Sequence, residues 1–345
     1  MKVLLTGSAG FIGGAVADQL ERAGDEVVRV DLLIPEAHKA DADAAGTNRV
    51  DVRDADALAP LMRGVDVVCH QAAMVGAGVT VADLPSYASH NDLGTAVLLA
   101  TMHGAGVTRL VVASSMVVYG EGRYSCPDHG RQTPDPRTVD ALEAGDFENH
   151  CTQCARQLGW ETVDEDARLD PRSSYAASKV ATEHYVSAWA RQAPGAAVAL
   201  RYHNVYGPHM PRDTPYSGVA AIFRSSVEHG DPPDVFEDGG QMRDFVHVAD
   251  VARANVLAIG QVAQATPSFA AFNVCSGSPV PISRVAEMVA RGTGSDLQPR
   301  VSGAYRLGDV RHIVASPERA RAELGFEASV APDEGIPAFA TAPLR

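Results

Sequence analysis

Thr6-Gly7-Ser8-Ala9-Gly10-Phe11-Ile12-Gly13 follows directly on the apolar run Val3-Leu4-Leu5. The run reads as a strand, the three glycines at three-residue spacing as a tight turn, and Ile12, Val16 and Leu20 as the apolar stripe of a helix. Glycine is required where a backbone must turn sharply, let a pyrophosphate approach and pack a helix close to a strand. The helix N-terminus then offers unpaired N–H groups and a positive dipole end to an anion. A plain glycine-rich turn is the alternative, but placement on the first strand favours a dinucleotide site at Gly7, Gly10, Phe11, Ile12 and Gly13.

The next strand-like run, Glu26–Val30, ends at Asp31, about twenty residues after the glycines, where an acid can bind the adenosine ribose hydroxyls. The same charge repels a 2′-phosphate, so NAD is expected rather than NADP. Arg29 lies within the strand and not at its end. Asp31 could otherwise be an ordinary turn acid.

Working outward, strand-like runs at Lys2–Leu5, Glu26–Val30, Val65–His70 and Arg109–Ser114 alternate with helical stretches near 11–23, 55–63 and 91–104. That alternation predicts an α/β fold, a Rossmann-like, doubly wound parallel sheet. The expected division is a dinucleotide-binding domain over 1–205 and a smaller substrate-binding lobe over 206–345, with a return to the sheet around 240–275. Later helices are expected near Ile282–Arg291 and Pro317–Leu324. Residues 121–172 break the pattern with a polar, proline-bearing insertion, and a loop that long inside a domain is normally functional or internally stapled. The chain has 345 residues and a formal net charge of −14, which argues against a nucleic-acid surface. No apolar run approaches the length of a membrane span, and the short N-terminal run is interrupted by glycines, so a cytoplasmic enzyme is expected.

Tyr175-Ala176-Ala177-Ser178-Lys179 opens another helical run, and four-residue spacing puts the phenol and the ammonium on one face. A phenol near its ordinary pKa of about 10 is a poor base, and a neighbouring ammonium is expected to lower it. The strand Arg109–Ala113 runs into Ser114-Ser115 at the carboxyl edge of the sheet, where ligands of such folds sit.

Together with Gly7-x-x-Gly10-x-x-Gly13, these segments resemble the extended short-chain dehydrogenase/reductase family. So do His70-Gln71-Ala72-Ala73, Asn91-Asp92-Leu93-Gly94-Thr95, Arg201-Tyr202-x-Asn204-x-Tyr206-Gly207-Pro208 and Arg243-Asp244-Phe245-Val246-His247-Val248. The branch it looks like is the nucleotide-sugar epimerases related to UDP-galactose 4-epimerase, over residues 1 to about 330. The resemblance implies Tyr175 as general acid/base, Lys179 as its electrostatic partner and ribose ligand, and Ser115 as binder of the substrate hydroxyl. Ser115 is preferred to Ser114 because it stands five residues before Gly120. It also implies Asp51 and Val52 beside the adenine, Ala72, Ala73 and Asn91 as cofactor contacts, and Asn204, Arg243 and Arg306 on the nucleotide diphosphate. A homodimer joined through the helices near 91–104 and 175–190 is implied too. Two departures stand out. Met116 and Val117 replace the Asp-Glu pair of the family's dehydratases, which disfavours water elimination. His203 stands where Phe is usual and is read as a packed histidine. The implied activity is a nucleoside-diphosphate-sugar 4-epimerase with tightly held NAD, the alternatives being a 4-ketosugar reductase or dehydrogenase and a dinucleotide-sensing regulator.

Of five cysteines, Cys69 and Cys275 fall in apolar runs. The remaining three form Cys126-x-x-His129 and Cys151-x-x-Cys154, two short-spaced pairs of soft ligands of the kind a structural Zn²⁺ takes. His150 could replace His129, and three unrelated thiols are the plain alternative. A comparable insertion occurs in sequences that look like dTDP-L-rhamnose 4-epimerase, which turns the implied sugar toward deoxyhexoses on a dTDP or UDP carrier.

Overall fold

The computed structural model describes residues 1–34, 46–76, 80–212 and 218–344. Seven parallel strands form the central sheet, in the order Ser268–Val274, Ala196–Tyr202, Arg109–Ser115, Val67–His70, Lys2–Thr6, Glu26–Asp31 and Asn48–Arg49. The order reverses at Lys2–Thr6, which places the glycine turn at the crevice between strands running to either side. Alternation along the first strand explains its two-sided burial. Val3 and Leu5 join Val16, Ala17 and Leu20 of helix Phe11–Arg22, with Val251, Ala258 and Ile259 of helix Val248–Gln264, on one face. Leu4 joins Leu98, Met102, Val186 and Trp189 on the other. A buried parallel sheet needs apolar residues on both sides, and this strand supplies them in turn.

The helix Ser174–Gln192 starts where the Ser173 hydroxyl accepts the Ala176 N–H at 3.2 Å, leaving Tyr175 in its first turn. The expected helix at 91–104 begins instead as a π-helical turn, Ala88–Leu93, that continues into Gly94–Gly104. Such turns re-aim side chains and recur at functional sites. The stretch at 55–63 divides into a short α-helix, Ala55–Leu58, and a 3₁₀ turn, Ala59–Met62, because Pro60 supplies no N–H to continue the ladder. The helix expected at Pro317–Leu324 is present over residues 318–324, ending in a π-helical turn, Ala320–Leu324.

The segment 121–172 is more ordered than its sequence suggests. Strands Gly130–Gln132, Arg123–Cys126 and Gly159–Glu161 make a small antiparallel sheet, and Val163 bridges to Ala315. Tyr124, Cys126, Cys151 and Leu158 form a small apolar cluster of their own, Val163, Ala167 and Leu169 join Val118 and Ile313 in another, and Leu142 and Phe147 are buried as well. Beyond the sheet, Tyr206, Phe223, Phe245, Met288, Ile336 and Phe339 form a separate cluster, against which Phe11 of the glycine turn packs. Among the described residues no helix is long and apolar enough to cross a membrane.

Candidate active site and metal centre

Gly7 turns the chain at φ +67°, and a Cβ there would lie 2.6 Å from the Ala72 amide nitrogen. A Cβ at Gly13 would lie 1.9 Å from the Gly7 carbonyl oxygen, so the helix can approach the strand only because that position has no side chain. Asp31, buried at the strand end, accepts the Ala9 N–H at 3.1 Å and the Leu33 N–H at 2.9 Å. The turn-acid reading of Asp31 is therefore partly correct: the carboxylate ties the glycine turn to the second strand while facing the crevice.

A cavity of about 590 Å³ opens there, lined among others by Gly7, Gly10, Phe11, Ile12, Gly13, Asp31, Asp51, Val52, Ala72, Ala73, Tyr175, Lys179 and Asn204. Its walls suit a dinucleotide: glycines and apolar side chains where a flat base and a pyrophosphate would lie, and an acid at the ribose end. Asp51 is held below the usual carboxylate range by the Arg53 guanidinium bonded to it. Asn91 departs from its expected place. It is buried, and its amide accepts the Met74 N–H at 2.7 Å while donating to the Met74 carbonyl and the Ser178 hydroxyl, both at 2.9 Å. Its hydrogen-bonding groups are thus committed to pinning the loop after Val67–His70 to the tyrosine helix, and it is absent from the cavity wall.

Tyr175 stands half-buried beside the Tyr87 ring, with centroids 6.0 Å apart. Burial pushes its phenol up to about 12, against a hydrogen bond with Ser115 that pulls the other way. Desolvation of the phenolate is the largest influence on this phenol, and it is Ser115, not Lys179, that opposes it. Lys179 lies 5.8 Å from the ring centroid and donates to the Ala113 carbonyl at 3.0 Å. Burial lowers its own pKa to about 8, with Glu183 opposing the fall. Ser114, at the neighbouring position, is buried and donates its hydroxyl to Glu183, which is ion-paired with Arg201 at 2.7 Å. Ser115 is thereby the strand-end hydroxyl next to the phenol. Glu183, four residues after Lys179, was legible as the next step of the same helical face, yet sequence reasoning passed over it. Arg201 continues the network by donating to the Tyr119 hydroxyl at 2.8 Å, which donates to Asn273 at 2.7 Å.

Asn204 lines the cavity with a buried Oδ1 that has no partner among the described residues. Arg243 donates to the carbonyls of Met242 and Arg311, each at 2.9 Å, and to that of Val310 at 2.7 Å. Of its five N–H groups, Nε–H and one Nη2–H have no partner among the described residues, and like Asn91 it is absent from the cavity wall described above. Arg306 is exposed, its guanidinium 5.1 Å from the centre of the Phe236 ring. His203 is packed as expected, but neither ring nitrogen has a partner among the described residues, and burial lowers its pKa to about 3.

In the insertion, Cys126, His129, Cys151 and Cys154 converge so that their ligand atoms all lie within 4.8 Å of one another. Cys126 Sγ is 3.7 Å from Cys154 Sγ and 3.5 Å from His129 Nδ1, and Cys151 Sγ is 3.5 Å from the same nitrogen. A tetrahedral zinc with ordinary bond lengths requires about 3.75 Å between sulfurs and about 3.6 Å between sulfur and nitrogen. His150 lies outside the cluster, its Nε2 being 3.7 Å from Asp146.

Residues 3–275 match the family described as NAD dependent epimerase/dehydratase. The chain is 32% identical to a dTDP-L-rhamnose 4-epimerase of Burkholderia thailandensis, covering 97% of this chain and 93% of that protein. It is 29% identical to a UDP-glucose 4-epimerase of Streptomyces lividans, covering 95% and 92%. Among solved structures, the UDP-glucose 4-epimerase of Thermus thermophilus in complex with NAD superposes with a TM-score of 0.77 at 31% identity, covering 99% and 98%. The UDP-glucose 4-epimerase of Thermotoga maritima with UDP-glucose gives 0.79 at 27% identity, covering 99% and 97%.

Proposed function

This chain belongs to the NAD dependent epimerase/dehydratase family, and we propose that it interconverts the C4 epimers of a nucleoside-diphosphate sugar. One observation carries the reading: Tyr175 and Lys179 line the same cavity as the Gly7–Gly13 turn and Asp31. The phenolate oxygen of Tyr175 takes the proton of the sugar's C4 hydroxyl, while the Ser115 hydroxyl holds that oxygen in place. Bound NAD supplies the reversible acceptance of the C4 hydrogen with its electron pair, so the sugar passes through a 4-keto intermediate. Tyr175 then returns its proton to the C4 oxygen once the ketosugar has presented its other face. Lys179, fixed on the Ala113 carbonyl, supplies positive charge beside the phenolate and a donor for the ribose. Asn204 and Arg243 hold the diphosphate, with Arg306 at the rim. The relative acting on dTDP-L-rhamnose favours a dTDP-linked deoxyhexose, with UDP-linked hexoses as the other class.

The insertion cluster takes one structural Zn²⁺, closed by four protein ligands and so without an open catalytic position. A homodimer is supported by the exposed apolar side chains Leu93 and Tyr185 at the helices expected to pair. A cytoplasmic setting fits five cysteines that form no disulfide. The reaction is tested by incubating purified protein with UDP-, dTDP- and GDP-sugars, with no cofactor added, and following the products by NMR. Interconversion of C4 epimers is expected. A product formed only on adding reduced nicotinamide cofactor would replace this reading with a ketoreductase.

A further inference from the structure

The insertion is far in sequence from Arg243, yet a chain of short contacts joins them. Tyr124 and Cys126 alternate onto the buried side of the strand Arg123–Cys126. The Tyr124 hydroxyl accepts the His312 N–H at 3.0 Å. Glu121 accepts the Arg311 N–H at 3.0 Å and the Asn149 amide at 3.2 Å. Glu148, three residues before Cys151, pairs with the buried Arg311 guanidinium and bonds His312 Nε2 at 3.1 Å. The 310–312 segment, fixed in this way, in turn fixes the strand Met242–Arg243. His312 Nδ1 accepts the Met242 N–H at 3.1 Å, and the Val310 and Arg311 carbonyls, together with that of Met242, accept from the Arg243 guanidinium.

We infer that the metal-closed Cys126/His129/Cys151/Cys154 knuckle is a remote brace that sets Arg243 for the substrate's diphosphate. This rests on the diphosphate and metal assignments above. Val163, Ala167 and Leu169 anchor the end of the insertion to Val118 and Ile313, but around the four ligands only Tyr124, Cys126, Cys151 and Leu158 pack together, so cross-linking by a metal is what holds Tyr124 and Glu148 at one separation. With that separation fixed, the 310–312 backbone is a rigid acceptor that, with the Met242 carbonyl, commits three donors of Arg243 and leaves Nε–H and one Nη2–H uncommitted among the described residues. If the knuckle opens, the carbonyls move and the guanidinium loses its orientation, while the glycine turn, held by Asp31 and by the close approach of Gly13 to Gly7, keeps its contacts. Tyr124, Glu121 and Glu148 are positioning residues in this scheme.

The test uses full-length protein purified without chelator or metal-affinity resin. Metal is measured by elemental analysis, UDP and dTDP affinity by calorimetry, bound NAD by its absorbance after release, and KM and kcat on the active sugar. Wild type should carry one zinc per chain. Cys151→Ser/Cys154→Ser should lose it and weaken nucleotide binding and raise KM on the order of tenfold, the loss of one charge-assisted contact, with bound NAD retained. Tyr124→Phe should keep the metal and still weaken nucleotide binding several-fold, which covers the case of a double variant that fails to fold. Metal-free wild type would overturn both the metal assignment and the brace. Metal present, with nucleotide affinity unchanged on its loss or in Tyr124→Phe, would overturn the brace alone. Neither measurement of metal nor of nucleotide binding requires turnover, so failure of the epimerase reading shows separately in the sugar panel.

Discussion

Replacing Tyr175 by Phe removes one oxygen and leaves the ring on its Tyr87 contact, so the variant should fold and bind nucleotide as wild type does. What it removes is the proton acceptor. With the phenol pushed up to about 12 by burial, reaching the phenolate at about pH 7.5 costs on the order of 6 kcal/mol from roughly 4.5 pKa units at 1.36 kcal/mol each. Part of that cost is removed by positive charge brought to the site, and the remainder shows as a rate that rises with pH. In Tyr175→Phe no side chain can take the proton, and a loss of about 10²–10⁴ in kcat is expected, about 3–5 kcal/mol of barrier. The assay is epimer interconversion by NMR from about pH 6 to 9, alongside UDP affinity by calorimetry. The wild-type rate should climb with pH, and the variant's residual rate should lose that dependence. A variant with near-normal kcat, or with the wild-type pH profile, would remove Tyr175 from the chemistry.

Gly13→Ala would place a Cβ 1.9 Å from the Gly7 carbonyl oxygen, so it should lower the melting temperature by the cost of overpacking, about 1–3 kcal/mol or more, and abolish co-purified NAD; NAD content and a thermal scan check both. Wild type should bind NAD more tightly than NADP, and Asp31→Asn, which drops the charge and keeps one of the two oxygens that accept the Ala9 and Leu33 N–H groups, should narrow that preference at some cost in stability; tighter NADP binding by wild type in a titration would refute the ribose assignment. Stability should fall as pH drops from 6.5 toward 3, because His70 and His203 are held neutral by burial with pKa values near 3 while the unfolded chain takes up their protons from 6.5 downward. Each contributes up to about 1.4 kcal/mol per pH unit, and denaturant midpoints for wild type and His203→Phe across that range should converge as the pH rises above 7.

Some of this protein is written in runs of ten or fewer residues. The glycine spacing after Val3-Leu4-Leu5, the acid closing Glu26–Asp31 and the four-residue interval from Tyr175 to Lys179 are local statements, because a turn's φ, a strand's end and a helix's face are set by neighbours in the chain. The alternation of strands and helices carried the parallel sheet for the same reason. What folding alone decided depends on groups brought together from distant positions. Ser114 and Ser115 are adjacent and chemically equal, and they differ because Glu183, paired with Arg201, takes the hydroxyl of the first. Asn91 became a bracket between a loop and a helix, not a cavity wall, because the Met74 backbone and Ser178 saturate its amide. The insertion looked irregular since its antiparallel strands pair across up to 38 residues of polar sequence, from Arg123 to Glu161, with no periodicity to announce them. Two cysteine pairs could be seen in the sequence, but the choice of His129 over His150 came from which imidazole the folded insertion brings to the three thiols. The direction of the Tyr175 shift was decided by packing as well: spacing shows that an ammonium is near, whereas desolvation depends on everything else that surrounds the phenol.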